Sequence, residues 1–185
     1  MGPEPKERFP HALGGRIGID ATAVDAGDGT SMHRVTDFCR SRTQRKIFAI
    51  KGAAGNRPVI ERAGSKTKTG ARLWIVGVDT VKAQLFARLP RASSIRFSDT
   101  LPPVWYEQVA SERAVVRYTR GQPVRNFVRI PGRRAEALDC TAYAFAARNL
   151  ININPDARRA DLARTEGLQA KRKGPVLQSS WMHRG

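Results

Sequence analysis

Two aspartates stand where a strand end and a helix flank can bring them together. Asp25 follows the alternating run "RIGIDATAV" and precedes the turn residues "AGDG". Asp139 lies in "PGRRAEALDCTAYAFAARNL", an alanine-rich segment whose helical stripe is Leu138, Ala142, Phe145 and Ala146. At about 100° per residue, Asp139 falls on the flank of that stripe beside Ala146, with Glu136 on a more exposed bearing. A carboxylate at the edge of a core is costly unless it is paired or holds a metal. Arg133 and Arg134 are its nearest candidate partners in sequence. A strand-end Asp and a helix-borne Asp over one sheet edge make a hard-oxygen site suited to Mg²⁺ or Mn²⁺. Beside a basic surface, such ions support in-line cleavage of a phosphodiester. Asp20, Asp28 and Asp79 are lesser candidates. Asp28, in "GDG", suits a turn but is kept as a third metal ligand, and Asp79 with Thr80 opens a helix and suits capping.

The basic surface follows from composition. Of 185 residues, 33 are Lys or Arg and 16 are Asp or Glu, a formal charge of +17 spread along the whole chain. Such a field favours a polyanion, and nucleic acid first, because each phosphate neutralised releases condensed counterions. Lys51, Arg120, Arg125, Arg133 and Arg134 are the expected phosphate contacts on double-stranded DNA. Cys39 and Cys140 sit in apolar helical patterns and read as reduced core residues. His11, His33 and His183 are isolated, so zinc-finger spacing is absent. There is no G-x-x-x-x-G-K-[ST] loop and no G-x-S-x-G elbow. No apolar run approaches the roughly 20 residues of a membrane span, so a soluble protein without a membrane partner is expected.

The elements that must hold these residues follow from periodicity. Residues 1–15 read as a disordered lead-in, and residues 16–24 as one strand. "SMHRVTDFCRSR" reads as a helix through Val35, Phe38 and Cys39, and "KIFAIKG" as a strand buried on both faces. Residues 52–71 read as an exposed Gly- and Lys/Arg-rich loop. "RLWIVG" is a strand, followed by a helix carrying Val78, Val81, Leu85 and Leu89. "SSIRFS" is a short strand and "PPVWYEQVAS" a proline-initiated helix. "AVVRYTRGQPVRNFVRI" is an arginine-rich hairpin. The Asp139 helix closes a domain over 16–150, and 151–185 reads as a basic flexible tail. This alternation predicts an α/β fold, a mixed sheet with flanking helices.

The blocks "AVDAG", "VTDFCRSR", "KIFAIKG", "VGVDTVKAQLFARL", "PVRNFVRIPGRRAEALDC" and "TAYAFAARNL" occur in one order. Together they resemble the nuclease domain of the large terminase subunit of lambda-like tailed phages. The resemblance implies a ribonuclease H-like fold, with a carboxylate-held metal pair that cuts concatemeric viral DNA during packaging. It implies a terminase small subunit and a portal as partners, and the cytoplasm of the bacterial host as the place of work. Asp25 matches the acid of the family's "IDSG"-like strand end, and Asp139 that of "EALDC". The family's domain begins with an earlier acidic strand in a "VDVQ"-like segment, after an ATPase motor. Its "GGHH" is here "AGDGTSMH". The expectation is therefore an N-terminally truncated nuclease domain, missing its first strand. A catalytically inactive DNA-binding or assembly fragment of the same fold is the rival reading, and a basic RNA-binding protein a more distant one.

Overall fold

A computed structural model describes residues 8–11, 15–64, 70–91, 94–119 and 121–172. The chain divides into two compact units, one from residues 1–20 with 152–185 and the other from residues 21–151.

The larger unit is built on a four-stranded sheet of order β3-β4-β6-β5, from Thr22–Asp25, Ile47–Ala53, Leu73–Gly77 and Ile60–Arg62. β3, β4 and β6 are parallel, and β5 is an antiparallel edge. Alternation along each strand sends side chains to two faces. Ala23, Phe48, Ile50, Trp74 and Val76 form one face, packed with Val81 and Leu85 of α2 (Val78–Arg88) and Ala142 and Ala146 of α4 (Glu136–Ala147). Val24, Ile47, Ala49, Leu73 and Ile75 form the other, against Met32, Val35 and Cys39 of α1 (Met32–Arg40). Helices on both faces explain why "KIFAIKG" is apolar nearly throughout.

The rest of this unit is α3 (Pro103–Val109) and a hairpin of β7 (Glu112–Thr119) and β8 (Gln122–Arg129). Gly121, with φ +76°, takes part in the turn. Phe127 of the hairpin stacks on Phe86 of α2, with centroids 5.3 Å apart. Gln108 of α3 accepts a hydrogen bond from the Ala137 N–H at 2.9 Å. That bond satisfies a donor at the start of α4, which no side chain of its own caps.

The smaller unit holds a two-stranded antiparallel ladder, β1 (Arg8–Pro10) with β2 (Arg16–Gly18), and α5 (Pro155–Arg172). Asn154 accepts hydrogen bonds from the Asp156 and Ala157 N–H groups, each at 3.0 Å, which starts α5.

Several expectations change. The single strand over 16–24 divides at Asp20, whose carboxylate pairs with Arg158 at 2.6 Å, and Ile19 is left exposed. "SSIRFS" forms no ladder over its described residues 94–98; Ile95 packs against the core without strand pairing. The loop over 52–71 contributes β5. Residues 155–172 are helical where a flexible tail was expected. Much of the expected lead-in and the end of the tail, residues 1–7, 12–14 and 173–185, lies outside the described residues. Cys39 is buried, but Cys140 is exposed and both are free thiols. Among the described residues no helix is long and apolar enough to cross a membrane.

Candidate active site at the carboxyl ends of the parallel strands

Asp25 is the last residue of β3 and pairs in register with Ile50, so its side chain shares the face that packs on α2 and α4. Its Oδ1 accepts a hydrogen bond from the Gly27 N–H at 2.8 Å, which fixes the carboxylate at the strand end. Asp139 lies in the first turn of α4. The exposed N–H groups of a helix start favour negative charge there.

Tyr143 lies one turn beyond Asp139 on α4. Its phenol is pushed up to about 12, first by burial, then by the negative charges of Asp25 and Asp139 and a hydrogen bond to Asp25. The Gly52 N–H opposes that shift by bonding the phenol oxygen. A Cβ on Gly52 would lie 2.7 Å from that oxygen, so the missing side chain is what admits Tyr143 to the sheet edge. The charges of both acids singled out by position bear on this one phenol.

Asp139 has two cationic neighbours, and neither is Arg133 or Arg134. Lys82 Nζ lies 3.0 Å from Oδ1, and the guanidinium of Arg129, more than half exposed, lies 3.8 Å from Oδ2. Lys82 also meets both oxygens of Glu112 at 2.9 Å. Arg134 pairs with Glu136 at 3.2 Å. The Glu136 carboxyl is held below its usual range, chiefly by a hydrogen bond with its own backbone and then by Arg134. Arg133 donates to the Ala110 carbonyl at 3.3 Å.

The remaining candidates scatter. Asp28 accepts from the Thr30 N–H at 3.0 Å and is lowered mainly by that bond, the signature of a turn former. Asp25, Asp28 and Asp139 do not form a metal-holding trio; among the described residues no group of three Asp, Glu, His or Cys side chains does. Asp79 does not cap α2, which has no side-chain cap. Its carboxylate instead accepts from the Gly55 N–H at 2.6 Å, the Phe127 N–H at 2.9 Å and Asn126 Nδ2 at 3.2 Å, joining the segment after β4 to the hairpin. Thr80 donates to the Arg57 carbonyl at 2.7 Å. Lys51 pairs with Ile75 and alternates onto the α1 face, away from Asp25 and Tyr143. Arg125 lies opposite Val116 on the hairpin and lines an open groove of about 740 Å³ with Gln84, Gln122 and Asn56. Arg120 lies outside the described residues.

Comparison with known proteins bears on what such a site serves. The family model described as "Terminase large subunit gpA, endonuclease domain" matches residues 4–162. The chain belongs to this family. It is also similar to the "Terminase, large subunit" of Enterobacteria phage P21, 29% identical over 171 residues. That alignment covers 85% of this chain and 26% of the relative, so the chain spans about a quarter of the relative's length. No solved structure matches. The residues beside these acids that sequence reasoning missed are Lys82, Glu112 and Tyr143. Tyr143 was signalled by its i+4 spacing from Asp139, and Lys82 by being a charge beside the apolar stripe of α2.

Proposed function

We propose that this chain is a divalent-metal-dependent DNA endonuclease domain of a phage packaging terminase, with ribonuclease H-like architecture, which cuts concatemeric viral DNA. The observation that carries this reading is a carboxylate at the carboxyl end of β3, Asp25, and another in the first turn of α4, Asp139, whose charges both raise the phenol of Tyr143. Parallel strands with helices on both faces support the architecture.

The donor set fits a hard cation. Asp25 and Asp139 would be its oxygen ligands, and Oδ1 of each is already engaged, by the Gly27 N–H and by Lys82. With Mg²⁺ or Mn²⁺ bound, the chemistry supplied is Lewis-acid polarisation of a phosphodiester oxygen and activation of water. The chain's own residues orient this chemistry. Tyr143, kept protonated, donates to Asp25 and aims it; Lys82 holds Asp139. Arg125 and the other exposed arginines of the hairpin engage phosphates of double-stranded DNA without reading bases. A terminase small subunit, a portal and the bacterial host cytoplasm complete the proposal, supported by family membership.

The second reading is a catalytically inactive DNA-binding fragment of the same fold, favoured by the absence of a third acid beside the pair among the described residues. Incubation of supercoiled plasmid with the chain and Mn²⁺ or Mg²⁺ separates the two. The nuclease reading expects open-circular product, lost at least about 100-fold in Asp139→Asn, the scale on which single electrostatic groups act in catalysis. Plasmid left intact with both metals, yet shifted on a gel in a salt-dependent manner, establishes the binding-only reading.

A further inference from the structure

The hairpin is held at one end and bare at the other. At its base, Glu112 meets Lys82 at 2.9 Å, Phe127 stacks on Phe86, and the Phe127 N–H donates to Asp79 at 2.9 Å. Glu112, Ala114, Val116 and Tyr118 share one face of the ladder with their partners Arg129, Phe127, Arg125 and Pro123. The far end of that face is uncovered: Val116 is 56% exposed and Tyr118 76%, with Pro123 exposed beside them. Tyr118 stands six residues beyond Glu112, about 20 Å at the rise of a strand. Pro123 has no N–H for the ladder, so it and Tyr118 form a pair without backbone bonds, the type whose side chains lie closest. The Phe127 N–H, in the same phase of β8, points away from β7 to Asp79, as this pairing requires.

Apolar side chains gathered on an exposed surface mark a place where a partner sits. Charge says which partner. The stretch Glu112–Arg129 carries Arg113, Arg117, Arg120, Arg125 and Arg129, and its one acid, Glu112, is spent on Lys82. That sign fits a polyanion. Size agrees: three side chains offer far less than the roughly 800 Å² each partner gives to a stable protein interface, whereas inserted apolar side chains are enough to part a base step. We propose that the Tyr118–Pro123 end of the hairpin is a wedge that enters the minor groove of duplex DNA and partly unstacks a base step, while the flanking arginines hold phosphates. The inference rests on the DNA-binding part of the reading above and needs no metal. Parting a base step is resisted, and a hairpin free to swing would recoil; the bonds to Lys82 and Asp79 and the stack on Phe86 brace this one against α2. The duplex is untwisted where its steps deform easily, with no base edge read.

Closed circular plasmid, relaxed in EDTA by a topoisomerase that needs no metal and in the presence of the whole chain, tests this, because EDTA silences metal-dependent cutting. After protein removal the plasmid should be negatively supercoiled, each bound wedge having untwisted the duplex. Tyr118→Ser with Val116→Ser, at matched occupancy, should reduce that change at least about fivefold, since phosphate contacts alone unstack nothing. Both positions are exposed, so this variant folds, and its slope of log affinity against log salt should match that of the unaltered chain. Tyr118→Phe, which keeps the ring, should retain the supercoiling. A bound plasmid that emerges relaxed overturns the inference, leaves the nuclease reading standing and gives the patch to a protein partner. Equal supercoiling from the double serine variant, or its loss in Tyr118→Phe, also overturns it. So does a reduced salt slope in the serine variant, which would make the patch a support for the arginines. No binding of plasmid at any salt sinks the wedge and the DNA reading together.

Discussion

The phenol oxygen of Tyr143 occupies the space above Gly52 where any other residue would carry its Cβ, 2.7 Å away. This is one of the contacts through which the sheet and α4 meet, so it couples packing to the geometry of the site. Gly52→Ala should destabilise the fold by about 1–3 kcal/mol, the usual cost of overpacking. Adding Tyr143→Phe removes the clashing atom and should restore much of that loss. Val78 Cγ1, 3.0 Å from the same Cβ, keeps the recovery incomplete. Urea unfolding of the two single variants and the double variant measures the coupling. Simple addition of the two single effects would show that the contact does not matter.

Tyr143 also gives the fold a dependence on alkaline pH. Folding pushes its hydroxyl up from the ordinary value near 10 to about 12. The unfolded chain therefore loses its proton first. The stability associated with the protonated phenol is fully present below pH 10 and drains away as pH rises from 10 towards 12. Many lysines and other groups titrate in the same window, so the measurement is a difference. Between pH 9 and 11.5, unaltered protein should lose more stability than Tyr143→Phe. Parallel losses in the two would refute the shift.

Asp79 carries a different load from the two site acids. Its carboxylate is the acceptor for two backbone N–H groups from distant segments and for the Asn126 amide. Asp79→Ala leaves those partly buried donors without an acceptor, at about 1–3 kcal/mol each where water cannot replace it. A loss of about 3 kcal/mol in urea unfolding is expected, together with an unchanged Mn²⁺ affinity in the fraction that remains folded. A stable Asp79→Ala variant with weakened Mn²⁺ binding would instead move Asp79 into the metal site.

What the sequence disclosed follows what is periodic. The flank position of Asp139 came from helical spacing, and the strand-end position of Asp25 from alternation followed by turn residues. Family resemblance reached the same two acids by a separate route. Pairings across the fold were not legible. Lys82 and Glu112 are 30 residues apart and belong to a helix and a hairpin that nothing local brings together. The short distance in sequence from Arg133 and Arg134 to Asp139 suggested partners that the turn before α4 directs to the Ala110 carbonyl and Glu136 instead. Asp79 looked like a cap because its local position suits one; tertiary donors outcompete the helix's own N–H groups for its oxygens. Asp20, where the strand expected over 16–24 is interrupted, pairs with a helix residue 138 positions away, a partner that no local pattern reveals.

The arginines can be sorted by what they already hold. Arg158 is engaged with both oxygens of Asp20, whereas Arg125 faces the open groove beside the hairpin. Only a guanidinium that releases a counterion on meeting phosphate contributes to the salt dependence of binding. Arg125→Ala should therefore weaken duplex binding to a similar degree on unrelated sequences. It should also reduce the slope of log affinity against log salt by about one, the signature of a single lost phosphate contact. Arg158→Ala should leave the slope where it was and act on thermal stability instead. Fluorescence anisotropy with two labelled duplexes of different sequence, from about 50 to 200 mM salt, reads both quantities over the range where counterion release dominates. A slope unchanged in Arg125→Ala would take the hairpin out of the DNA contact, while a loss confined to one duplex would make Arg125 a reader of bases.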